Sequence, residues 1–242
     1  MLQDIWIYLA TFLASVVTLL AGFGLATILT PVFALIYDVK LAILLVAVVH
    51  LCNNLFKFIL FRKHINRSII KKFGILSIAG AIAGALMQSF MISTTLKVFL
   101  GIVLIILGAG ELLPPNVKFT VPKKFDLAGG FFSGFLGGLV GNQGAIRSAY
   151  LLNYNITKEE FIGTSTVIAL AIDITRIPIY FSLQRDVFTQ LPLEFFIVIV
   201  CALLGTIVGK QVLKLFSSSM FKKVVAGFVI LIGIAFTFQI LS

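Results

Sequence analysis

Apolar residues run along this chain in long blocks separated by short polar stretches, and the lengths of the blocks set its architecture. Six blocks, residues 41–61, 73–91, 96–113, 161–181, 193–212 and 224–241, are long enough for a helix to cross a bilayer. Such a crossing takes about 20 apolar residues for about 30 Å of hydrocarbon. Four others, 5–20, 25–37, 127–140 and 145–153, fall short of a comfortable span and come in two pairs. The first pair turns at Gly22-Phe23-Gly24 and the second at Gly141-Asn142-Gln143-Gly144. The pattern predicts an all-α, polytopic integral membrane protein with no soluble domain of its own.

The blocks also repeat. A shift of 120 positions lays Gly24-Leu25-Ala26 on Gly144-Ala145-Ile146, Asn53 on Asp173 and Phe61 on Phe181. With a few residues more, Gly80 and Gly84 fall on Gly205 and Gly209, and Lys97 with Gly101 on Lys223 with Gly227. Residues 1–113 and 126–242 therefore read as two transmembrane repeats, each a glycine-broken helical pair followed by three full spans, with 114–125 as a joint.

Composition agrees: 60% of residues are hydrophobic and 12% charged, against about 45–50% and about 25% in soluble domains. A net charge of +10 raises nucleic acid as a partner. The basic residues, however, crowd short loops beside apolar spans, which marks cytoplasmic loops rather than a nucleic-acid surface. They form three stretches: Arg62, Lys63, Arg67, Lys71 and Lys72; Lys118, Lys123 and Lys124; and Lys214, Lys222 and Lys223. All three face the cytoplasm only if the repeats have opposite topology, which requires an odd number of crossings in each. Each glycine-broken pair is then a re-entrant hairpin or two short spans, and both termini lie outside a cell inner membrane. Cys52 and Cys201 sit inside spans without metal-ligand or disulfide spacing and read as apolar fillers. No Lys or Arg precedes the first apolar run, so that segment is expected to stay in the mature protein.

Candidate chemistry follows from polar groups that the spans carry at a cost. Paired breaks in inverted repeats mark substrate sites, because irregular backbone at membrane depth must be buried in protein or line a wet cavity. Helices starting near Gly24 and Gly144 would aim unpaired N–H groups and positive dipole ends at an anion. Arg147, one turn past the second break, offers a fixed fork of donors to an oxyanion, the alternative being a structural tie to backbone carbonyls or to Asp173. The expected binding set is Gly22, Phe23, Gly24, Asn53, Gly141, Asn142, Gln143, Gly144 and Arg147. On residues 161–181, Thr166, Asp173, Arg176 and Tyr180 share one helical face. Asp173 and Arg176 either pair structurally or serve coupling, with Asp173 as a proton carrier. On residues 41–61, His50, Asn53, Asn54 and Lys57 form a second polar stripe, and His50 and Lys57 join the coupling or gating candidates. Glu159 and Glu160 follow Thr157 as ordinary first-turn carboxylates of a helix.

The stretches LAGFGLATILTP and GGFFSGFLGGLVGNQGAIRSA, set in two similar halves, resemble the TauE/SafE sulfite exporter-like family over nearly the whole chain. The resemblance implies a secondary transporter of small sulfur-containing or organic anions such as sulfite, sulfonates or sulfoacetate, coupled to an ion gradient. Its glycine-rich turns fall on Gly22 to Gly24 and Gly141 to Gly144, and its following proline on Pro31. This chain departs from the family in Asn142, Gln143, Arg147 and Leu151. The expected partners are a small anion, the lipid bilayer and a coupling ion, a proton, with no cofactor, no metal and no nucleic acid; the oligomeric state is left open. A passive anion channel is the alternative. A membrane-embedded enzyme fits less well, since His50 and His64 are the only histidines and no paired carboxylates lie within a span.

The loop charges predict that position 67 faces the cytoplasm while positions 93 and 185 face outside. Single-cysteine labelling in intact cells reads this directly, and equal access to 67 and 185 from one side refutes opposed repeats.

Overall fold

The computed structural model describes residues 2–21, 24–113, 125–151, 154–183, 195–212 and 218–240, and all the regular structure among them is helical. In chain order the helices are α1 (Leu2–Ala21), α2 (Leu25–Phe33), α3 (Val39–Phe61), α4 (Arg67–Phe90), α5 (Ser93–Leu112), α6 (Asp126–Val140), α7 (Gly144–Leu151), α8 (Lys158–Leu183), α9 (Phe195–Val212) and α10 (Ser218–Thr237). This is a polytopic helical membrane protein. Four helices, α3, α4, α5 and α8, are long and apolar enough to cross a membrane. The predicted spans 193–212 and 224–241 are helical as α9 and α10. Their apolar parts, Phe195–Gln211 and Lys223–Thr237, are shorter than the predicted blocks: residues 193–194 lie outside the described residues, and α10 ends at Thr237, followed by a turn.

Both predicted breaks interrupt the helices. Gly24, before α2, has φ 85° and ψ 137°, and Gly141, after α6, has φ 82° and ψ −5°. A side chain at either φ would clash with its own backbone, which is why glycine stands there. With 9 and 8 residues, α2 and α7 rise roughly 12–14 Å, less than half a hydrocarbon layer. Gly22, Phe23, the joint residues 114–124, Arg185, Asp186 and Lys214 lie outside the described residues.

Helix starts follow local chemistry. The Asn66 side chain accepts from the backbone N–H groups of Ser68 and Ile69 to open α4. Thr157 and Glu160 form a capping box at the start of α8, in which the Glu160 N–H donates to Thr157 Oγ1 and the Thr157 N–H to Glu160 Oε2, each at 3.1 Å. The Glu160 carboxylate is thus a structural cap, as its position suggested.

The described chain divides into two compact units, each drawing on both predicted repeats. Unit 1 comprises Met1–Val46, Met91–Lys118 and Pro192–Ser242; unit 2 comprises Ala47–Phe90 and Phe119–Leu191. In unit 1, α1 packs along α9 and α5 along α10, with α2 against α1 and α10. In unit 2, α4 packs along α6 and α8, and α7 against α6 and α8. Lipid tails are as apolar as leucine, so helices here are held by close van der Waals packing, which small residues permit. A Cβ on Gly80 would lie 2.0 Å from the Phe131 carbonyl oxygen, and one on Gly134 1.9 Å from that of Ser77. Unit 1 uses the same device: a Cβ on Gly205 would lie 2.4 Å from the Phe12 oxygen and one on Gly209 2.7 Å from that of Val16. The glycines matched by the repeat thus do matching work in α4 against α6 and in α9 against α1.

Gly134→Ala forces α4 and α6 apart at a backbone oxygen, so it should destabilise the fold by about 1–3 kcal/mol or more, the range for overpacking. A Cβ on Gly227 meets nothing within 4 Å, so Gly227→Ala should hold or slightly raise stability through helix propensity. Thermal unfolding of the detergent-purified variants checks both, and equal melting temperatures for the two would contradict the packing argument.

Candidate functional site

The chemistry of unit 2 centres on Asp173, a fully buried carboxylate of α8. His50, Asn53, Asn54 and Lys57 of α3 are buried, as are Thr166, Arg176 and Tyr180 of α8. Both Asp173 oxygens are engaged. Oδ2 accepts from His50 Nδ1 at 2.6 Å and from Asn54 Nδ2 at 3.5 Å. Oδ1 accepts from Arg176 Nε at 3.0 Å and from Gln143 Nε2 at 3.4 Å, and lies 2.9 Å from Arg176 Nη2. Burying two charges is costly unless each is paired and further hydrogen-bonded, and this pair meets that condition.

Arg176 also reaches beyond its own helix. Its Nη1 donates to the Gly137 carbonyl oxygen at 2.7 Å, and the Tyr180 hydroxyl donates to that of Gly138. These are carbonyls in the last turn of α6, where the helix offers no partners of its own and where its dipole favours a cation. The Gly141 N–H donates to the Gly137 oxygen as well. Arg176 therefore locks α8 to the end of α6, just before the break.

Past the break, Gln143 joins the carboxylate to Arg147. The Gln143 Oε1 accepts from Arg147 Nη1 at 3.3 Å, while its backbone oxygen accepts from Ser133 Oγ at 2.9 Å. The Arg147 N–H closes the first turn of α7 onto the same backbone oxygen at 3.4 Å. Lys57 lies within Coulombic reach of Arg147, a like charge. Among the described residues no carboxylate pairs with Lys57. Arg147 and Arg176 thus share the field of one carboxylate already held by Arg176, and Lys57 adds a third buried positive charge near Arg147. Two further features leave polar valence open: Arg147 Nε and both amide atoms of Asn142 are buried without a hydrogen-bond partner among the described residues.

At the far end of the α6–α7 pair, the Tyr154 hydroxyl donates to the Asp126 carboxylate at the start of α6. Burial, and then that carboxylate, push the hydroxyl up to about 12. The Tyr150 ring fills the space over Gly129 and packs on Phe73 in the π-helical turn Ile70–Gly74 of α4. The pair is thus pinned at its base as well as at its break.

The structure brings six of the sequence candidates into one connected cluster: His50, Lys57, Gln143, Arg147, Asp173 and Arg176. Gly141, Asn142 and Gly144 form the turn beside it, and Asn53 is buried on the same stripe of α3. Gly24 belongs to unit 1; Gly22 and Phe23 lie outside the described residues. Asn54 and Ser133 were not chosen from the sequence. Asn54 carried a signal, since it stands four residues after His50 and shares its face; nothing in the sequence ties Ser133 to Gln143. The repeat set Asn53 opposite Asp173, whereas His50 and Asn54 are the α3 side chains bonded to that carboxylate.

Compared with known families, residues 7–236 match the model described as Sulfite exporter TauE/SafE, nearly the whole chain. Searches of curated proteins and of solved structures returned no match.

Removing one partner of a buried ion pair strands the other charge, which costs about 3–5 kcal/mol. Arg176→Leu should therefore destabilise the protein strongly, and Asp173→Asn combined with Arg176→Leu should cost less than the sum of the single changes. A double-mutant cycle on thermal or denaturant unfolding tests this; simple additivity would mean the two residues do not act as a pair.

Proposed function

We propose that this chain, which belongs to the sulfite exporter TauE/SafE family, is a secondary transporter that binds a small oxyanion between Arg147 and Lys57 and carries it by alternating access. Sulfur-containing or organic anions of the sulfite, sulfonate or sulfoacetate type are the substrate class, and no reaction is performed on them. One observation carries the reading: two buried cations, Arg147 and Lys57, act on each other, and among the described residues neither is bonded to a carboxylate. Burying such charges without a counter-ion is unfavourable, and an anion relieves both at once. The guanidinium supplies directed donors from Nε and the fork, the ammonium a compact charge, and the Asn142 amide in the preceding turn a buried donor without a partner among the described residues. First-turn N–H groups of α7 point the same way, since no acceptor within the helix is open to them.

Alternating access needs an element that moves without dissolving its own packing. In unit 2 the small-residue contact of α6 with α4 is too close to yield, and the Arg176 and Tyr180 bonds hold α8 to α6. The short α7 follows the glycine turn and is tied to unit 2 through Gln143, Tyr150 and Leu151, so on this reading the turn at Gly141 accommodates the shift as the anion enters and leaves.

A site built to hold an anion should be destabilised when empty. Lys57→Met is expected to raise the melting temperature of anion-free protein and to shrink the thermal shift produced by sulfite, thiosulfate or alkanesulfonates. Arg147→Lys keeps the charge and loses the fork, so it should weaken binding by roughly tenfold or more. Arg147→Ala should abolish transport in sealed vesicles while the protein still folds. Full transport by Arg147→Ala sinks the assignment, and loss of a preset gradient without counterflow would favour a channel over a carrier.

A further inference from the structure

We propose that His50 carries the coupling proton of this transporter, binding it when the anion occupies the Arg147–Lys57 site and releasing it when the anion leaves. The inference rests on the anion-site reading above. Position along the chain favours Asp173 as the proton carrier, but its surroundings do not. That carboxylate accepts from His50, Asn54, Gln143 and Arg176 on its two oxygens. A proton placed on it must displace one of these donors and cancel the partner charge of a buried guanidinium.

Protonating the imidazole leaves the carboxylate ionised and its bonds to Arg176 and Gln143 in place. Its Nδ1–H donates to Asp173 Oδ2 at 2.6 Å, which fixes the tautomer and leaves the lone pair on Nε2. The Asn54 Nδ2 lies 3.3 Å from that nitrogen and 3.0 Å from Nδ1. An amide carries a donor at one end and an acceptor at the other, so Asn54, turned over with loss of its long 3.5 Å bond to Asp173, accepts from the imidazolium. Asp173 supports the charged ring in place. Histidine is also the side chain whose ordinary titration falls between about pH 5 and 8.

The charged groups facing the ring explain why the proton would wait for the anion. Asp173 and Arg176 face it from α8 and Lys57 from its own helix, while Arg147 of α7 acts on both Lys57 and Asp173. Three cations against one carboxylate oppose a fourth positive charge. An anion on Arg147 and Lys57 removes that opposition. A hydrogen-bonded path links the two events, from Arg147 through Gln143 and Asp173 to His50. By reciprocity the proton then favours anion binding as much as the anion favours the proton. The balance is simple: Nε2 binds one proton from the aqueous phase as one anion enters, no other bond changes, and both depart on the other side.

The chain has two histidines, so a His64→Gln background leaves one imidazole for nitrogen-15 NMR. At pH 6.5, saturating with sulfite or methanesulfonate should move the His50 nitrogens from neutral to imidazolium shifts, with binding checked by thermal shift. In proteoliposomes, His50→Gln should keep methanesulfonate counterflow and lose pH-driven accumulation. The parent should show about tenfold accumulation per pH unit for one proton per monoanion. Anion binding with unchanged His50 signals, or a His50→Gln variant that responds to the gradient like the parent, overturns the proton assignment alone. Absence of any anion-induced thermal shift removes the anion site and this inference together.

Discussion

Four helices of unit 2 meet at one buried carboxylate, and the remaining polar geometry of that unit follows from keeping it ionised. Asp173 stands on α8, draws His50 and Asn54 from α3, takes Gln143 from the turn between α6 and α7, and is paired with Arg176, which in turn bonds the end of α6. An isolated charge at this depth would be prohibitive, so each donor is both a cost avoided and a constraint on where its helix sits. The arrangement gives a soluble-protein degree of order to helices that gain little from hydrophobic association in lipid.

Close helix contact is the second constraint. Where α4 lies along α6 the backbones approach until no Cβ fits, at Gly80 and Gly134 among others. Such an interface has one register, because any slide brings a side chain against a carbonyl. By contrast, α7 has 8 residues, begins at a glycine turn and holds the cluster through Gln143 and Arg147. The chemistry of the candidate site therefore sits where a close-packed pair of helices meets a short one that follows a glycine turn.

Much of this was legible in the sequence because bilayer physics writes itself in block lengths. The helical blocks, the two breaks and the glycine matches at Gly80, Gly84, Gly205 and Gly209 came from spacing alone, and the structure places helices, turns and close contacts there. Arg147, Asp173, Arg176 and His50 were legible because ionisable groups inside spans are rare and costly. The pairing of Asp173 with Arg176 could be read from their i, i+3 spacing, but partners on other helices could not. Periodicity assigns a residue to a face but not to a partner on another helix, so the repeat put Asn53 opposite Asp173 when the bonded neighbours are His50 and Asn54. Nor does the sequence reveal that Gln143 stands between Arg147 and Asp173, since that depends on how the chain turns at Gly141.

That intervening glutamine matters physically. Had Arg147 met Asp173 directly, two arginines would have shared one carboxylate and little positive field would remain for a ligand. A neutral amide passes on orientation without passing on charge: its nitrogen donates to the carboxylate while its oxygen accepts from the guanidinium. Arg147 is thereby aimed but left largely uncompensated, with Lys57 adding a like charge nearby. Mutual repulsion between the two cations raises the free energy of the empty site and, for the same reason, strengthens its response to an anion. A carrier must also let go. In the proposed carrier cycle Gln143 would hold Arg147 again as the anion departs, so that the empty state is not as poor as two bare charges and the difference between loaded and empty stays small enough for turnover.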